Sequence, residues 1–144
     1  MNSAMRLRRR SEGPPPVRRI LVGTDRSETA TRAVRFAAQM ADRYEAELIV
    51  TQTVRDGMER ATTQRELEAY VAEVVGPDTR TIVREATDPA KQMVEIADEE
   101  DVDVLVVGSV GMSGRKEFLL DNIPNRVSHL ARCTVVIVQT QVES

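Results

Sequence analysis

The sequence predicts an α/β domain in which five parallel strands form one sheet with helices on both faces. Five short runs rich in Val, Ile and Leu alternate along the chain with segments that have the apolar spacing of helices. Hydrophobic residues make up 41% of the 144 residues and aromatic residues only 3%, which indicates a core of branched aliphatic side chains and alanine. This composition suits a parallel sheet covered by Ala-rich helices, and the length suits one domain. Right-handed crossovers between the strands then give a doubly wound sheet.

The first strand, the first helix and the second strand follow one another closely. Residues 19–24 (RILVGT) are the first predicted strand, which ends in a glycine and a threonine. Residues 27–44 are the first predicted helix, because apolar residues recur there at helical spacing. Its inward-facing residues are predicted to be Ala30, Val34, Ala37, Ala38 and Ala41. The second predicted strand is Glu47–Val54.

The middle of the chain repeats this alternation. Residues 60–75 are predicted to form a helix that ends before Gly76 and Pro77, and residues 79–84 a third strand. The stripe of that helix consists of Leu67, Tyr70, Val71, Val74 and Val75. Asp88 is predicted to cap a third helix, with Pro89 in its first turn. That helix turns Ala90, Met93, Val94 and Ala97 inward.

The last part of the chain carries the loop that is most suggestive of function. Residues 103–107 and Thr134–Val138 are the fourth and fifth predicted strands, and a helix over residues 122–131 lies between them. The loop that follows the fourth strand contains Gly108, Gly111 and Gly114. Glycines let backbone N–H groups approach an anion closely, and ligands bind at the carboxyl ends of parallel strands. The spacing matches neither a Walker-type loop nor G-x-G-x-x-G.

Composition argues against several classes of protein. A formal net charge of −3 makes a nucleic-acid partner improbable, because domains that bind nucleic acid usually carry a basic surplus. A single cysteine, Cys133, cannot form an intrachain disulfide and fits a reducing compartment. No apolar run approaches the roughly 20 residues of a membrane span, and a secretory signal is not evident. We therefore predict a cytoplasmic protein with no membrane partner.

Groups suited to catalysis are scarce. His129 is the sole histidine, which excludes a His-rich metal site, and no nucleophile is evident beside it in the sequence. We predict a surface or interface histidine there, a packed and inert thiol at Cys133, no metal site and no catalytic residues.

The first 16 residues differ in character from the rest. They combine RLRRR at residues 6–10 with three consecutive prolines that end at Pro16. Like charges repel, and prolines donate no backbone hydrogen bonds, so residues 1–16 are predicted to be a disordered basic arm with a stiff spacer. The arm either contacts an acidic partner or is a solubilising tail. Residues 17–144 are predicted to form the domain.

Two interpretations of Asp25 remain open on spacing alone. Asp25 with Glu28, or Ser27 by itself, can cap the first helix. Asp25 also follows the first strand directly, so its carboxylate could accept hydrogen bonds from a base or a ribose in a ligand crevice.

Motifs at the two ends of the domain resemble those of the universal stress protein family. The first is GTDRSETATRAVRFAA, and the second is Gly108-x-x-Gly111 followed after nine residues by Asp121 and Asn122. The resemblance extends over residues 19–140. It implies a five-stranded Rossmann-like domain, similar to the adenine nucleotide alpha hydrolases, that is usually a homodimer and whose nucleotide-binding members hold ATP.

The resemblance also implies a set of binding residues. Asp25 would meet the adenine or ribose, Thr53 would flank the base, and backbone N–H groups near Asn122 would meet the terminal phosphates. The full implied set is Gly23, Thr24, Asp25, Thr53, Gly108, Gly111, Met112, Asn122 and Ile123. The implied cofactor is ATP or another adenine nucleotide, with Mg as its companion ion.

Asp121 departs from the family pattern, which has glycine at that position. A carboxylate about 4 Å from a phosphate costs on the order of 4 kcal/mol at an effective dielectric of about 20, before screening. We therefore predict weak binding of ATP.

Two functions follow from these observations. The first is an adenine-nucleotide-binding regulator or sensor of the stress response that is not an enzyme, with at most slow, incidental ATP hydrolysis. The alternative is a dimeric interaction module of the same fold that binds no nucleotide. In both cases the apolar run that begins at Thr134 and reaches Thr140 is predicted to be an edge strand that pairs with a second copy.

Overall fold

The chain folds around one five-stranded parallel sheet with the strand order β3-β2-β1-β4-β5. The computed structural model describes residues 16–109 and 123–140. The strands are β1 (Arg19–Gly23), β2 (Glu47–Val54), β3 (Arg80–Glu85), β4 (Val104–Gly108) and β5 (Thr134–Val138). The helices are α1 (Glu28–Tyr44), α2 (Arg60–Val74), α3 (Pro89–Glu99) and α4 (Ile123–Leu130), and a short 3₁₀ turn (Gly57–Glu59) precedes α2. The predicted fold class is confirmed.

Helices cover both faces of the sheet. On one face, Val34 of α1 and Leu67 of α2 pack with strand side chains that include Ile20, Val22, Val50, Val83 and Val106. On the other face, Met93 of α3 and Val127 of α4 pack with strand side chains that include Leu21, Ile49, Leu105 and Val107. The central strand β1 is buried from both sides, so Ile20, Leu21 and Val22 are each 0% exposed. Apolar side chains on both faces explain why this strand is a continuous aliphatic run.

The start of β4 differs by one residue from the prediction. The structure begins β4 at Val104, because the side chain of Asp103 binds the backbone at the start of β1. The Asp103 carboxylate accepts hydrogen bonds from the backbone N–H groups of Arg18 and Arg19, at 2.8 and 3.0 Å. The predictions for β2 and β5 coincide with the observed strands.

Ion pairs fasten the acidic end of α3 to β3. Arg84 Nη2 lies 2.7 Å from Glu99 Oε1, and Arg80 Nη1 lies 2.7 Å from Glu100 Oε1. The hydrogen bond from Arg84 lowers the pKa of the exposed Glu99 carboxyl. These arginines place positive charge at the negative end of the helix dipole, where it is favourable.

Within the described ranges, no helix has both the length and the apolar character that crossing a membrane requires.

Candidate functional site

The sheet reverses its winding between β1 and β4, and this point defines the candidate site. Residues Leu21 and Val22 of β1 pair with Leu105 and Val106 of β4, so the two strands end at the same edge. The chain leaves β1 toward α1 and β2 on one side and leaves β4 toward β5 on the other. In open α/β sheets such a switch point leaves a crevice outside the carboxyl ends of the strands.

The turn after β1 is held by three short hydrogen bonds. Thr24 N–H donates to the Thr51 carbonyl of β2 at 2.9 Å, so the turn remains attached to the sheet. Arg26 N–H donates to Thr24 Oγ1 at 2.9 Å, and Ser27 N–H donates to Asp25 Oδ1 at 2.9 Å. Thr24 is only 1% exposed, so its hydroxyl supports the turn from inside.

Ser27, rather than Asp25, caps α1. Ser27 Oγ accepts a hydrogen bond from Ala30 N–H at 3.1 Å, three residues into the helix. The interpretation of Ser27 as the sole cap is therefore correct. Asp25 is half-buried, and within the described residues its only hydrogen bond uses Oδ1, so Oδ2 is available to a ligand.

Arg26 is a site residue that sequence reasoning missed. Its backbone has φ of 66°, in the left-handed region that favours glycine. Its guanidinium donates to Gln52 Oε1 of β2 at 2.9 Å and pairs with Glu66 Oε1 of α2 at 3.0 Å. Arg26 thus ties the turn that carries Asp25 to the neighbouring strand and helix. No signal in the local sequence marks this role, because both partners are distant along the chain.

β2 extends past the end of β1 and brings Thr53 to the same edge. Gly23 pairs with Thr51, so Thr53 lies two residues beyond the last residue of β1. Thr53 is half-buried and pairs with Arg84 of β3. Thr51 is 1% exposed and donates its hydroxyl to the Ile82 carbonyl at 2.8 Å, so it serves the sheet.

Gly108 ends β4 beside the last residue of β5. It is buried and pairs with Val138. Ser109 N–H then donates to the Val138 carbonyl at 2.8 Å, and Ser109 Oγ accepts from Thr140 N–H at 3.1 Å. The glycine loop therefore leaves the sheet from a fixed point.

The first residue of α4 is buried under the sheet. Ile123 is 6% exposed and packs in the same core cluster as Leu21 and Val107. The predicted site residues Gly111, Met112 and Asn122, together with Asp121, lie outside the described residues. Of the predicted site, the described residues bring together the ends of β1, β2 and β4 at one edge of the sheet.

The described residues offer little for catalysis. His129 is exposed in the last turn of α4. Cys133 is half-buried, and that burial raises the pKa of its thiol, which disfavours the reactive thiolate. Among the residues that the structure describes, no group of three or more His, Cys, Asp or Glu side chains is arranged to hold a metal ion.

Comparison with known proteins agrees with this architecture. The sequence profile of the universal stress protein family matches residues 16–139. Universal stress protein Rv1636 of Mycobacterium tuberculosis strain H37Rv is 33% identical over 141 residues, covering 84% of this chain and 95% of that protein. A crystal structure of a universal stress protein in complex with cAMP has a TM-score of 0.70 at 31% identity, covering 88% of this chain and 100% of that one.

A more distant structure shares the fold alone. The universal stress protein from Archaeoglobus fulgidus in complex with dAMP has a TM-score of 0.64 at 19% identity, covering 87% of this chain and 100% of that one. The family profile and the relatives above 30% identity together show that this chain belongs to the universal stress protein family.

Proposed function

We propose that this protein binds an adenine nucleotide in the crevice between the ends of β1 and β4 and acts as a regulator or sensor in a stress response. One observation carries the proposal: the Thr24–Ser27 turn and Gly108 lie at the same edge of the sheet, at its switch point. A universal stress protein that is 31% identical and covers 88% of this chain forms a complex with cAMP, which favours an adenine nucleotide as the ligand.

Each element at the edge has a role in this proposal. Asp25 Oδ2 accepts hydrogen bonds from the ribose or the base, while Ser27 N–H keeps Oδ1 in place. Thr53 flanks the base from β2. Backbone N–H groups after Gly108 and at the start of α4 meet the phosphates, since N–H groups at a helix N-terminus favour anions. Gly111, Met112 and Asn122 complete the proposed contacts.

ATP, accompanied by Mg²⁺, is the proposed ligand, and Asp121 is expected to weaken its binding. Each 1.4 kcal/mol of repulsion between the carboxylate and a phosphate lowers affinity about tenfold. A nucleotide with fewer phosphate charges avoids part of that repulsion.

The proposed activity is binding rather than catalysis. The described residues contain no nucleophile paired with a base. The sole histidine, His129, is exposed in the last turn of α4, at the opposite end of that helix from its start. We expect ATP hydrolysis to be slow and incidental, and the protein to act in the cytoplasm.

A homodimer through β5 belongs to the same proposal. β5 lies at the edge of the sheet, and no strand of the described residues pairs with its outer side. Ile137 of β5 is 48% exposed and Leu130 of α4 is 44% exposed, so apolar surface is present beside an unpaired edge. Such an edge favours pairing with a second copy.

Mass spectrometry of the denatured, freshly purified protein tests nucleotide binding first, and we expect an adenine nucleotide to co-purify. Isothermal titration with ATP and cAMP then compares wild type with Asp25→Asn and Asp121→Gly. Asp25→Asn keeps an oxygen for Ser27 N–H but removes the charge, and is expected to weaken binding of both ligands. Asp121→Gly is expected to tighten ATP binding about tenfold or more, because it removes repulsion of at least about 1.4 kcal/mol.

Asp98→Asn is the matched control, because Asp98 is an exposed carboxylate on α3 away from the crevice. Absence of bound nucleotide together with no heat on titration would overturn the proposal and favour the interaction module. Unchanged ATP affinity in Asp121→Gly would refute the proposed repulsion by Asp121 but not nucleotide binding itself.

A further inference from the structure

A second concave surface lies at the opposite edge of the sheet from the crevice. This amino-edge groove has a volume of about 640 Å³ and is bounded by the end of α1, the start of β2 and the turn before β3. Its apolar lining consists of Ala38, Ala41, Ala46, Leu48 and Val75. Its acidic lining consists of Asp42, Glu45, Glu47 and Asp78.

Most of the acidic charge in this groove is not neutralised. Glu47 is paired, with Arg19 Nε at 2.9 Å and Arg80 Nη1 at 3.9 Å. Asp42, Glu45 and Asp78 form no ion pair with the described part of the chain. The last turn of α1 also ends here, and its carbonyl groups add the negative end of a helix dipole. The groove therefore favours a positively charged occupant with some apolar surface.

The chain that precedes the domain starts beside this groove. The Arg18 carbonyl accepts a hydrogen bond from Glu47 N–H at 2.9 Å, so residue 18 is adjacent to one wall. Val17 packs against the core cluster that includes Ala41 and Leu48, on the sheet face that carries α1. Residues before 17 therefore connect to the domain at the groove rather than at the nucleotide crevice.

The preceding residues have the composition that the groove favours. Residues 6–10 read RLRRR, with four guanidinium groups around one leucine. Arginine lays its methylene stem on apolar surface and presents a planar donor to carboxylates. The seven residue steps from Arg10 to Val17 span up to about 24 Å when extended, so the basic run is within reach of the groove.

We propose that the amino-edge groove is the binding surface for residues 6–10 of the same chain. Leu7 covers the apolar lining, and the flanking arginines pair with Asp42, Glu45 and Asp78. Covalent connection makes the local concentration of the basic run high, of millimolar order for a short linker, so individually weak ion pairs suffice. The groove lies at the opposite edge of the sheet from the crevice, and its lining shares no residue with the proposed nucleotide contacts.

Paramagnetic relaxation measured by NMR on the full chain tests this contact. A nitroxide is attached at Ser11→Cys in a Cys133→Ala background, and the amide signals of Asp42, Glu45 and Thr79 are followed. These signals are expected to lose most of their intensity, while the signals of Thr53 and Ser109 at the other edge keep theirs. Raising the salt from 0.1 to 1 M should restore a large part of these signals, because the screening length falls from about 10 to about 3 Å.

Charge variants separate binding from mere proximity. Replacing Asp42, Glu45 and Asp78 by Asn, Gln and Asn should weaken the loss of signal markedly, because an unbound run spends less time in the groove and leaves only the effect of its attachment nearby. Neutralising Glu59, Glu68 and Glu95, which are exposed outside the groove lining, changes the net charge equally and should leave the loss intact. Signals lost equally in both triple variants, or lost at another surface, would overturn the proposal. Loss of signal in an isotope-labelled chain mixed with a separate spin-labelled chain would show exchange between copies, which also overturns binding within one chain.

Discussion

At the scale of single residues, Arg26 shows how a strained backbone is kept in place at the candidate site. A left-handed conformation costs a non-glycine residue about 1–2 kcal/mol. Arg26 offsets this cost with its hydrogen bond to Gln52 and its ion pair with Glu66. A side chain that is tied down in this way keeps Asp25 and Ser27 in one arrangement without glycine.

Substitution of Arg26 separates the cost of its left-handed backbone from the stabilisation by its side-chain contacts. Arg26→Ala keeps the strain and loses both contacts, so we expect a loss of about 1–2 kcal/mol in the free energy of unfolding. Arg26→Gly loses the same contacts but relieves the strain, and we expect it to be about 1 kcal/mol more stable than Arg26→Ala. Urea denaturation measures the difference.

Arg32→Ala is the control, because Arg32 is an exposed arginine on α1 with no ion pair to the described residues, and it should change stability little. If Arg26→Ala and Arg32→Ala are equally stable, the contacts of Arg26 do not hold the turn.

At the scale of elements, Asp88 joins α3 to α4. Its Oδ1 accepts from Lys91 N–H at 3.2 Å as the cap of α3, and it lies 2.6 Å from Arg126 Nη1 of α4. The hydrogen bond from Arg126 is the main reason that the pKa of the Asp88 carboxyl is lowered. One carboxylate therefore both begins a helix and positions its neighbour.

Two variants of Asp88 should differ in stability and in its pH dependence. Asp88→Ala loses cap and ion pair, so it should cost about 1–2 kcal/mol, whereas Asp88→Asn retains a cap and should cost less than about 1 kcal/mol. Because folding lowers the pKa of Asp88, the stabilisation from its charge is present above the usual pKa of 3.8 and is lost as the pH falls through the lower folded value.

Urea denaturation at pH 7 and pH 3 measures both effects. The stability gap between wild type and Asp88→Asn should be smaller at pH 3. A gap that is constant across this range would show that the charge of Asp88 contributes nothing, and Arg126→Gln should reproduce the Asp88→Asn result.

At the scale of the whole molecule, the sheet has one edge with exposed apolar residues. β5 presents Ile137 at this edge, and Leu130 of α4 is exposed as well. A dimer with two-fold symmetry would cover this surface reciprocally on both copies.

Ile137→Lys should convert the proposed dimer to a monomer, because it places a charge at the centre of the unpaired edge. Sedimentation velocity measures the change in mass and shape. Met58→Lys is the control, since Met58 is an 89% exposed apolar residue in the turn before α2, away from β5. A dimer that survives Ile137→Lys would exclude β5 as the interface.

Much of this architecture was predictable from the amino-acid sequence. Apolar periodicity is a property of local sequence, and the right-handedness of crossovers holds for parallel sheets in general. The five strand runs, the parallel sheet with helices on both faces and the position of Asp25 after β1 follow from them. The choice between Asp25 and Ser27 as the cap of α1 could not be predicted from these rules, since both side chains cap helices well. The contacts of Arg26 and the amino-edge groove also escaped prediction, because each joins residues that are distant along the chain.

The pairing of β1 with β4 has a consequence for synthesis of the protein. β1 ends at Gly23 and β4 ends at Gly108, so the crevice between them joins segments made at very different times on the ribosome. During translation at about 5–20 residues per second, β1 emerges several seconds before its second neighbour exists. Until then one side of this largely apolar strand has no partner, and a nascent chain that stalls before residue 104 exposes an aggregation-prone edge to chaperones.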